Sequence, residues 1–232
     1  KMNENQVQNI EKIREDFVAN ASHELKTPIT SIQLAAETAL NAINDGNTED
    51  GLKFIKQILR NSERMSLLIS DLLDLSKIEQ NEPNLEIADL ENIVNMEISY
   101  LKENDQARLN ANIENIHINV DQEDFALIVR NILRNAVTYS DPDTPIEVHL
   151  KKDDEDVLFK VIDKGKGISQ QDQERIFERF YRIDKGRSRN LGGTGIGLSI
   201  VKHAVDRNNG TIELDSLLGE GTTFSIKFKQ NV

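Results

Sequence analysis

Ser22-His23-Glu24-Leu25-Lys26-Thr27-Pro28 lies within a long helical pattern, and the rest of the chain can be read outward from it. Val18, Leu25, Ile32 and Ala39 recur every seven residues and form an apolar stripe on one helix. At ~100° per residue, His23 falls roughly 140 to 160° from Val18 and Leu25, so its imidazole is expected to face solvent. Thr27 is one turn away on the same face and three residues from Glu24. Carboxylate, hydroxyl and imidazole can therefore address one reactant. Pro28 removes a helical backbone bond and is expected to bend the helix just past these groups. Neutral imidazole, the main form of an unperturbed histidine at pH 7, is a competent nucleophile. A lone exposed histidine is ordinarily only solvated, so the rest of the chain must supply an electrophile.

The 232 residues, 38% hydrophobic and 29% charged, suit one large or two ordinary globular domains. No apolar run approaches the ~18 residues of a membrane span, and no signal segment opens the chain, so a soluble protein is expected. Because it begins at Lys1, the chain is expected to be an excised piece whose anchor or sensor part is missing. Cysteine is absent, which excludes disulfides and thiolate metal sites. A formal charge of −12 argues against nucleic acid as a main partner, since phosphate backbones are bound through clustered Lys and Arg.

The first helical pattern runs from about Val7 to Ile43, Asp45-Gly46-Asn47 signals a turn, and a second helix follows from about Glu49 to Glu79. The apolar arc of the second helix covers both an Ile58/Met65/Leu72 row and an Ile55/Ile69 row, more than one partner helix can cover. A homodimer in which two hairpins form a four-helix bundle closes both rows and leaves His23 outside. Asn81-Glu82-Pro83-Asn84 reads as a hinge, which gives domains at residues 1–80 and 89–232 with a linker at 81–88.

Beyond the hinge the pattern shortens. An edge strand is expected at Leu85 to Ile87, a helix at Leu90 to Leu101, a strand at Ile116 to Val120 and a helix from Gln122 to about Tyr139. On that last helix Asn131, Asn135 and Thr138 make a polar row beside the apolar face, and two asparagines one turn apart suggest ligand contact. Strands follow near Ile146 to Leu150 and Val157 to Ile162. Asp163 continues the buried parity of Val157, Phe159 and Val161, so its carboxylate points inward and needs donors. Gly165 and Gly167 leave room for a flat ligand against the backbone. The basic segment from Arg175 through Arg182, Lys185, Arg187 and Arg189 reads as a flap suited to phosphate. It ends in Gly192-Gly193-Thr194-Gly195-Ile196-Gly197-Leu198, a glycine-rich turn opening a helix, which presents free N–H groups to an anion. Neither a P-loop nor a dinucleotide fingerprint is present. Ile212 and Leu214, then Phe224, Ile226 and Phe228, mark two final strands.

Taken in order, these segments resemble the phosphoacceptor and ATP-binding domains of bacterial sensor histidine kinases. The resemblance covers essentially the whole chain. His23 to Pro28 matches the His-Glu-Leu-Lys-Thr-Pro box, Asn131 to Ser140 the asparagine box, and Asp163 to Gly167 the first glycine box. Phe177 to Arg182 matches the phenylalanine box, Gly193 to Leu198 the second glycine box, and Gly219 to Thr222 a third. The wording around His23 is similar to that of phosphate-sensing and cell-wall-sensing kinases of Gram-positive bacteria.

The resemblance implies an α+β fold, in which a helical hairpin forming a dimeric four-helix bundle precedes a two-layer α/β sandwich of the histidine kinase, chaperone and topoisomerase ATPase type. It implies ATP and Mg²⁺, with His23 attacking the γ-phosphoryl group and Glu24 as its acid/base partner. By position, Asp163 would accept the adenine amino group, and Asn135 with Asn131 would hold Mg²⁺. Tyr139 would border the nucleotide, Arg182 would reach the terminal phosphate, and Gly193, Thr194, Gly195, Gly197 and Leu198 would cradle the others, with Thr222 in the third glycine box. It further implies transfer to an aspartate of a response regulator, with Glu24 and Thr27 serving the reverse phosphatase activity. The expected setting is the cytoplasmic portion of a membrane-anchored sensor. One position departs from the family: Thr138 stands where Lys is usual, and Arg134 or a flap residue can compensate. The alternative is a nucleotide-binding pseudokinase or phosphatase-biased scaffold; a chaperone-type ATPase would lack the hairpin.

Overall fold

The computed structural model describes the backbone of residues 4–183 and 193–230, with side chains from residue 15 onward. The chain divides into two compact units, Lys1–Leu72 with Gly192–Thr194, and Leu73–Leu191 with Gly195–Val232.

The first unit is built on a helical hairpin. Helix α1 spans Glu4–Asn44 and runs unbroken through Pro28, and α2 spans Thr48–Gln80. The turn between them is made by Gly46, whose φ of 80° suits a residue without a Cβ, and by Asn47, whose amide oxygen accepts from the Asp50 N–H to cap α2. On α1 the buried face is Pro28, Ala35 and Ala39; it shares Ala39 with the expected stripe, of which Leu25 and Ile32 are half-buried and Val18 is exposed. Small residues on this face let the helices approach closely. Ile29, Leu40, Ile43, Leu52, Ile55, Leu59 and Ile69 remain exposed, far more apolar surface than a solvated hairpin needs.

The second unit centres on a five-stranded sheet in the order β2-β4-β5-β7-β6, from Leu109–Ile113 (β2), Ile146–Asp153 (β4), Asp156–Asp163 (β5), Thr211–Leu217 (β6) and Gly221–Lys229 (β7). The β2–β4 pair is parallel and the others are antiparallel. A separate antiparallel ribbon pairs β1, Glu86–Asp89, with β3, His117–Val120. Helices α3 (Leu90–Ser99), α5 (Gln122–Tyr139) and α6 (Gly197–Arg207) make the second layer, with a single-turn α4 at Glu103–Gln106. Asp89 caps α3 and Asp121 caps α5, each accepting an N–H of the first turn at 3.0 Å.

Between the layers, Phe125 of α5 packs edge-on against Phe159 of β5 and Phe228 of β7, with centroids 5.9 Å apart in each pair. Ile128, Ile132, Val148, Leu150, Ile200 and Ile226 fill the rest of this core and are fully buried. Helix α5 and the inward parity of β5 follow the sequence reading. Strand β2 was missed although Leu109, Ala111 and Ile113 alternate with Asn110 and Asn112, because alanine and asparagine are poor strand residues and the segment is short and largely exposed.

Asp124 is buried beneath α5, hydrogen-bonded by Asn208 Nδ2 at 2.9 Å and ion-paired with Arg207 Nε at 3.2 Å. Burial and then the neighbouring Asp121 charge push its carboxyl up to about 6, against the opposing pull of Arg207 and Asn208. An unfolded aspartate titrates near ~3.9, so between roughly pH 4 and 6 the folded chain binds more protons, and stability falls as pH rises. Thermal melting across that range is expected to show a decline that Asp124→Asn flattens, because its amide cannot ionise.

Candidate functional site

In the hairpin, His23 is exposed, and its imidazole makes no hydrogen bond among the described residues. Each of its two expected partners on the same turn also has a contact of its own. The Thr27 hydroxyl donates back to the His23 carbonyl at 3.1 Å. Glu24 turns across the hairpin, where Arg64 Nη2 of α2 donates to its Oε2 at 3.0 Å. The sequence reading missed Arg64. Its signal was a cation in register with Gln57, Asn61 and Leu68 on one face of α2.

In the second unit the geometry is set at the end of β5. Asp163 is 7% exposed, and Gly165 N–H donates to its Oδ1 at 2.7 Å. Burial pushes this carboxyl above its usual range, and the backbone N–H groups of Gly165 and Thr222 pull it back. Thr222 is its register partner on β7. A Cβ at Gly165 would lie 2.5 Å from the Tyr139 carbonyl and 2.7 Å from Asp163 Oδ1, so no side chain fits there. Asp163, Gly165, Thr222 and the C-terminal turn of α5 with Tyr139 thus form one cluster. Gly167, in the left-handed region at φ 65°, continues the turn.

Eight residues back along α5, about 12 Å by helical rise, the same face meets the start of α6. Asn131 is 2% exposed and fully engaged: its Nδ2 donates to the Leu127 carbonyl at 2.8 Å and its Oδ1 accepts from Arg134 Nη2 at 2.6 Å. A Cβ at Gly197 would fall 2.6 Å from Asn131 Oδ1 and 2.8 Å from Arg134 Nη2, so the glycine opening α6 lets this pair sit against the helix N-terminus. Asn135, between the two clusters on the same face, is half-buried and its amide makes no hydrogen bond among the described residues. The two asparagines therefore differ: Asn131 is committed to the fold and Asn135 is available.

Gly195, at φ 79°, accepts a hydrogen bond at 2.7 Å from the N–H of Phe180, itself at φ 63°. A bulky residue rarely holds that conformation. Arg182 and Leu198 are half-buried, Gly193 is half-buried and Thr194 is buried. Lys185, Arg187 and Arg189 of the expected flap lie outside the described residues. Among the described residues no three His, Asp or Glu side chains converge to hold a metal, and no helix is long and apolar enough to cross a membrane.

Residues 13–81 match the His Kinase A (phospho-acceptor) domain, and residues 120–232 match the Histidine kinase-, DNA gyrase B-, and HSP90-like ATPase family. The chain thus carries the two domains of a histidine kinase core, a phosphoacceptor domain followed by an ATPase domain. It is 36% identical to the sensor-like histidine kinase SenX3 of Mycolicibacterium smegmatis over 95% of its own length and 59% of that protein. It is 34% identical to the sensor histidine kinase WalK of Bacillus subtilis over 94% of its length and 37% of that protein. The chain thus spans little more than half, or less, of these relatives. Among solved structures, the histidine kinase AdeS of Acinetobacter baumannii is 26% identical with a TM-score of 0.68, covering 90% of this chain and 98% of that one.

Gly165→Ala tests the tightness of the Asp163 cluster. Forcing apart the Tyr139 carbonyl and the Asp163 carboxylate is expected to cost on the order of 2 kcal/mol, read as a fall of several degrees in the melting temperature.

Proposed function

We propose that this chain uses ATP to phosphorylate His23 and passes the phosphoryl group to an aspartate of a response regulator. One observation carries this reading: a histidine that is exposed and makes no hydrogen bond among the described residues shares a chain with a buried carboxylate beside one end of α5 and a glycine-opened helix N-terminus further back along the same helix. The imidazole lone pair attacks the γ-phosphorus, the P–O bond to ADP breaks, and the ring proton leaves to a base, for which Glu24 is assigned. The N–P bond then breaks as the regulator's carboxylate takes the group.

Asp163 accepts the adenine amino group, with Gly165 and Gly167 giving the ring room and Tyr139 and Thr222 bordering it. Gly193, Thr194, Gly195, Gly197 and Leu198 surround the phosphates, and Arg182 reaches the terminal one. Mg²⁺ neutralises phosphate charge when bound, and the free amide of Asn135 suits it better than the committed amide of Asn131. Arg134, held by Asn131 beside α6, supplies the cation that Thr138 lacks. Glu24 and Thr27 serve hydrolysis of the regulator's phosphoaspartate. The domains run 1–80 and 89–232 around a linker at 81–88, and the setting is the cytoplasmic portion of a membrane-anchored sensor. Substitution of Thr138 for the usual Lys favours a second reading, a phosphatase-biased scaffold that binds nucleotide and rarely labels itself.

With γ-labelled ATP and Mg²⁺, acid-labile label is expected on the protein and absent from His23→Ala and Asn135→Ala; nucleotide binding without label moves the scaffold reading to the front. The exposed apolar rows of α1 and α2 support a homodimeric four-helix bundle. Ile55→Glu with Leu59→Glu is expected to give a monomer by light scattering while nucleotide binding persists. Because the raised Asp163 carboxyl loses its acceptor character on protonation, ATP affinity is expected to fall at a higher pH than a solvated aspartate would allow.

A further inference from the structure

Glu24 and Arg64 form an ion pair at 3.0 Å across the hairpin, with side chains only 14% and 8% exposed, immediately beside the exposed His23. The pair is costly to bury. Each partner gives up hydration, and a carboxylate seated one residue from a solvated histidine has no packing need to turn inward. It sits at the top of a polar row on α2: Asn61 Nδ2 and Gln57 Nε2 lie 3.3 Å and 3.4 Å from Ser31 Oγ of α1, one to two turns further along. Gln57, Asn61 and Arg64 thus meet α1 where an apolar seam would serve stability better, and only the Arg64 end of the row touches a residue beside the phosphoacceptor. A guanidinium fork fixes a carboxylate in direction as well as distance, which a lysine does less well.

We propose that Arg64 is a positioning residue for phosphorylation: it fixes the Glu24 carboxylate on the helical turn that carries His23, and that carboxylate takes the proton released as the N–P bond forms. The proposal rests on the kinase reading above. Proton transfer to a side chain depends steeply on its placement, so the role of Arg64 is exerted through Glu24 and not through ATP, which binds in the other unit.

The test is a double-mutant cycle on the full chain, reading the initial rate of phosphohistidine formation at saturating ATP together with the KM for ATP. Glu24→Gln is expected to slow the rate ~100-fold. Arg64→Gln is expected to slow it ~10-fold with KM unchanged, and Arg64→Lys to recover part of the loss. In the Glu24→Gln background Arg64→Gln is expected to cost less than about 2-fold. An equal loss in both backgrounds, or a loss that appears in KM, overturns the proposal. Should Arg64→Gln melt below the assay temperature, the same cycle is run with Arg64→Lys, and an additive result there overturns it equally. Failure of the unsubstituted chain to label on His23 would instead overturn the kinase reading.

Discussion

A carboxylate buried at the end of a strand organises the second unit. Asp163 is inward because β5 alternates and Val157, Phe159 and Val161 claim the core side, and the same parity that buries the apolar chains buries the acid. A buried acid must be given donors, and the backbone supplies them only if it can come close. That is why the next residue but one is a glycine whose N–H reaches Oδ1 and whose missing Cβ lets the Tyr139 carbonyl lie alongside. Phe125 then locks α5 against β5 and β7, which fixes Tyr139 and Asn135 relative to Asp163. The cluster at the end of β5 thus follows from satisfying one acid. An apolar residue at 163 would pack as well without demanding these donors.

The hairpin follows a different economy. Apart from Leu68, its inner contacts are mostly small or polar: Ala35, Ala39, Ser31 and Glu24 on α1, and Gln57, Asn61 and Arg64 on α2. Many of its large side chains, Leu40, Leu52, Ile55, Leu59 and Ile69 among them, stay exposed. A pair of helices that spends its bulk outward buries little apolar area by itself, at ~25 cal/mol per Å². A partner that covers those rows recovers the missing stability, and a second copy offers the same rows in return.

What the sequence made legible were the features with a strict period or a local chemical demand. Helix α5 announced itself through Phe125, Ile128, Val129, Ile132 and Ala136, and its observed bounds are the expected ones. Asp163 was read as inward from parity alone. Contacts between residues distant in the chain were not legible. Strand β2 is held by parallel pairing to β4, and its alternation runs through alanine and asparagine, residues of low strand propensity, so the local pattern is weak. Pairing of Glu24 with Arg64 spans forty residues, and the stripe chosen on α1 coincides only in part with its buried face, because a seven-residue period fixes a helix's apolar side only to within a turn's width. Asn131 and Asn135 looked alike one turn apart. Only the tertiary structure separates the amide bonded to Leu127 and Arg134 from the one left open.

On the proposed reading, the division of labour around His23 follows from what each group has to do. A nucleophile that receives a phosphoryl group from one domain and yields it to another protein has to be approachable from outside, and an imidazole held by hydrogen bonds would have to break them at each step. A proton acceptor has the opposite requirement. It serves best when it stays put while reactants change, and a solvated glutamate samples many rotamers at a cost of up to ~2 kcal/mol in side-chain entropy when it is recruited. Burying Glu24 against Arg64 meets that cost during folding, and His23, without a hydrogen-bond partner among the described residues, keeps its ring nitrogens open. The two adjacent residues therefore need opposite environments, and a helix provides them because neighbours in sequence point ~100° apart.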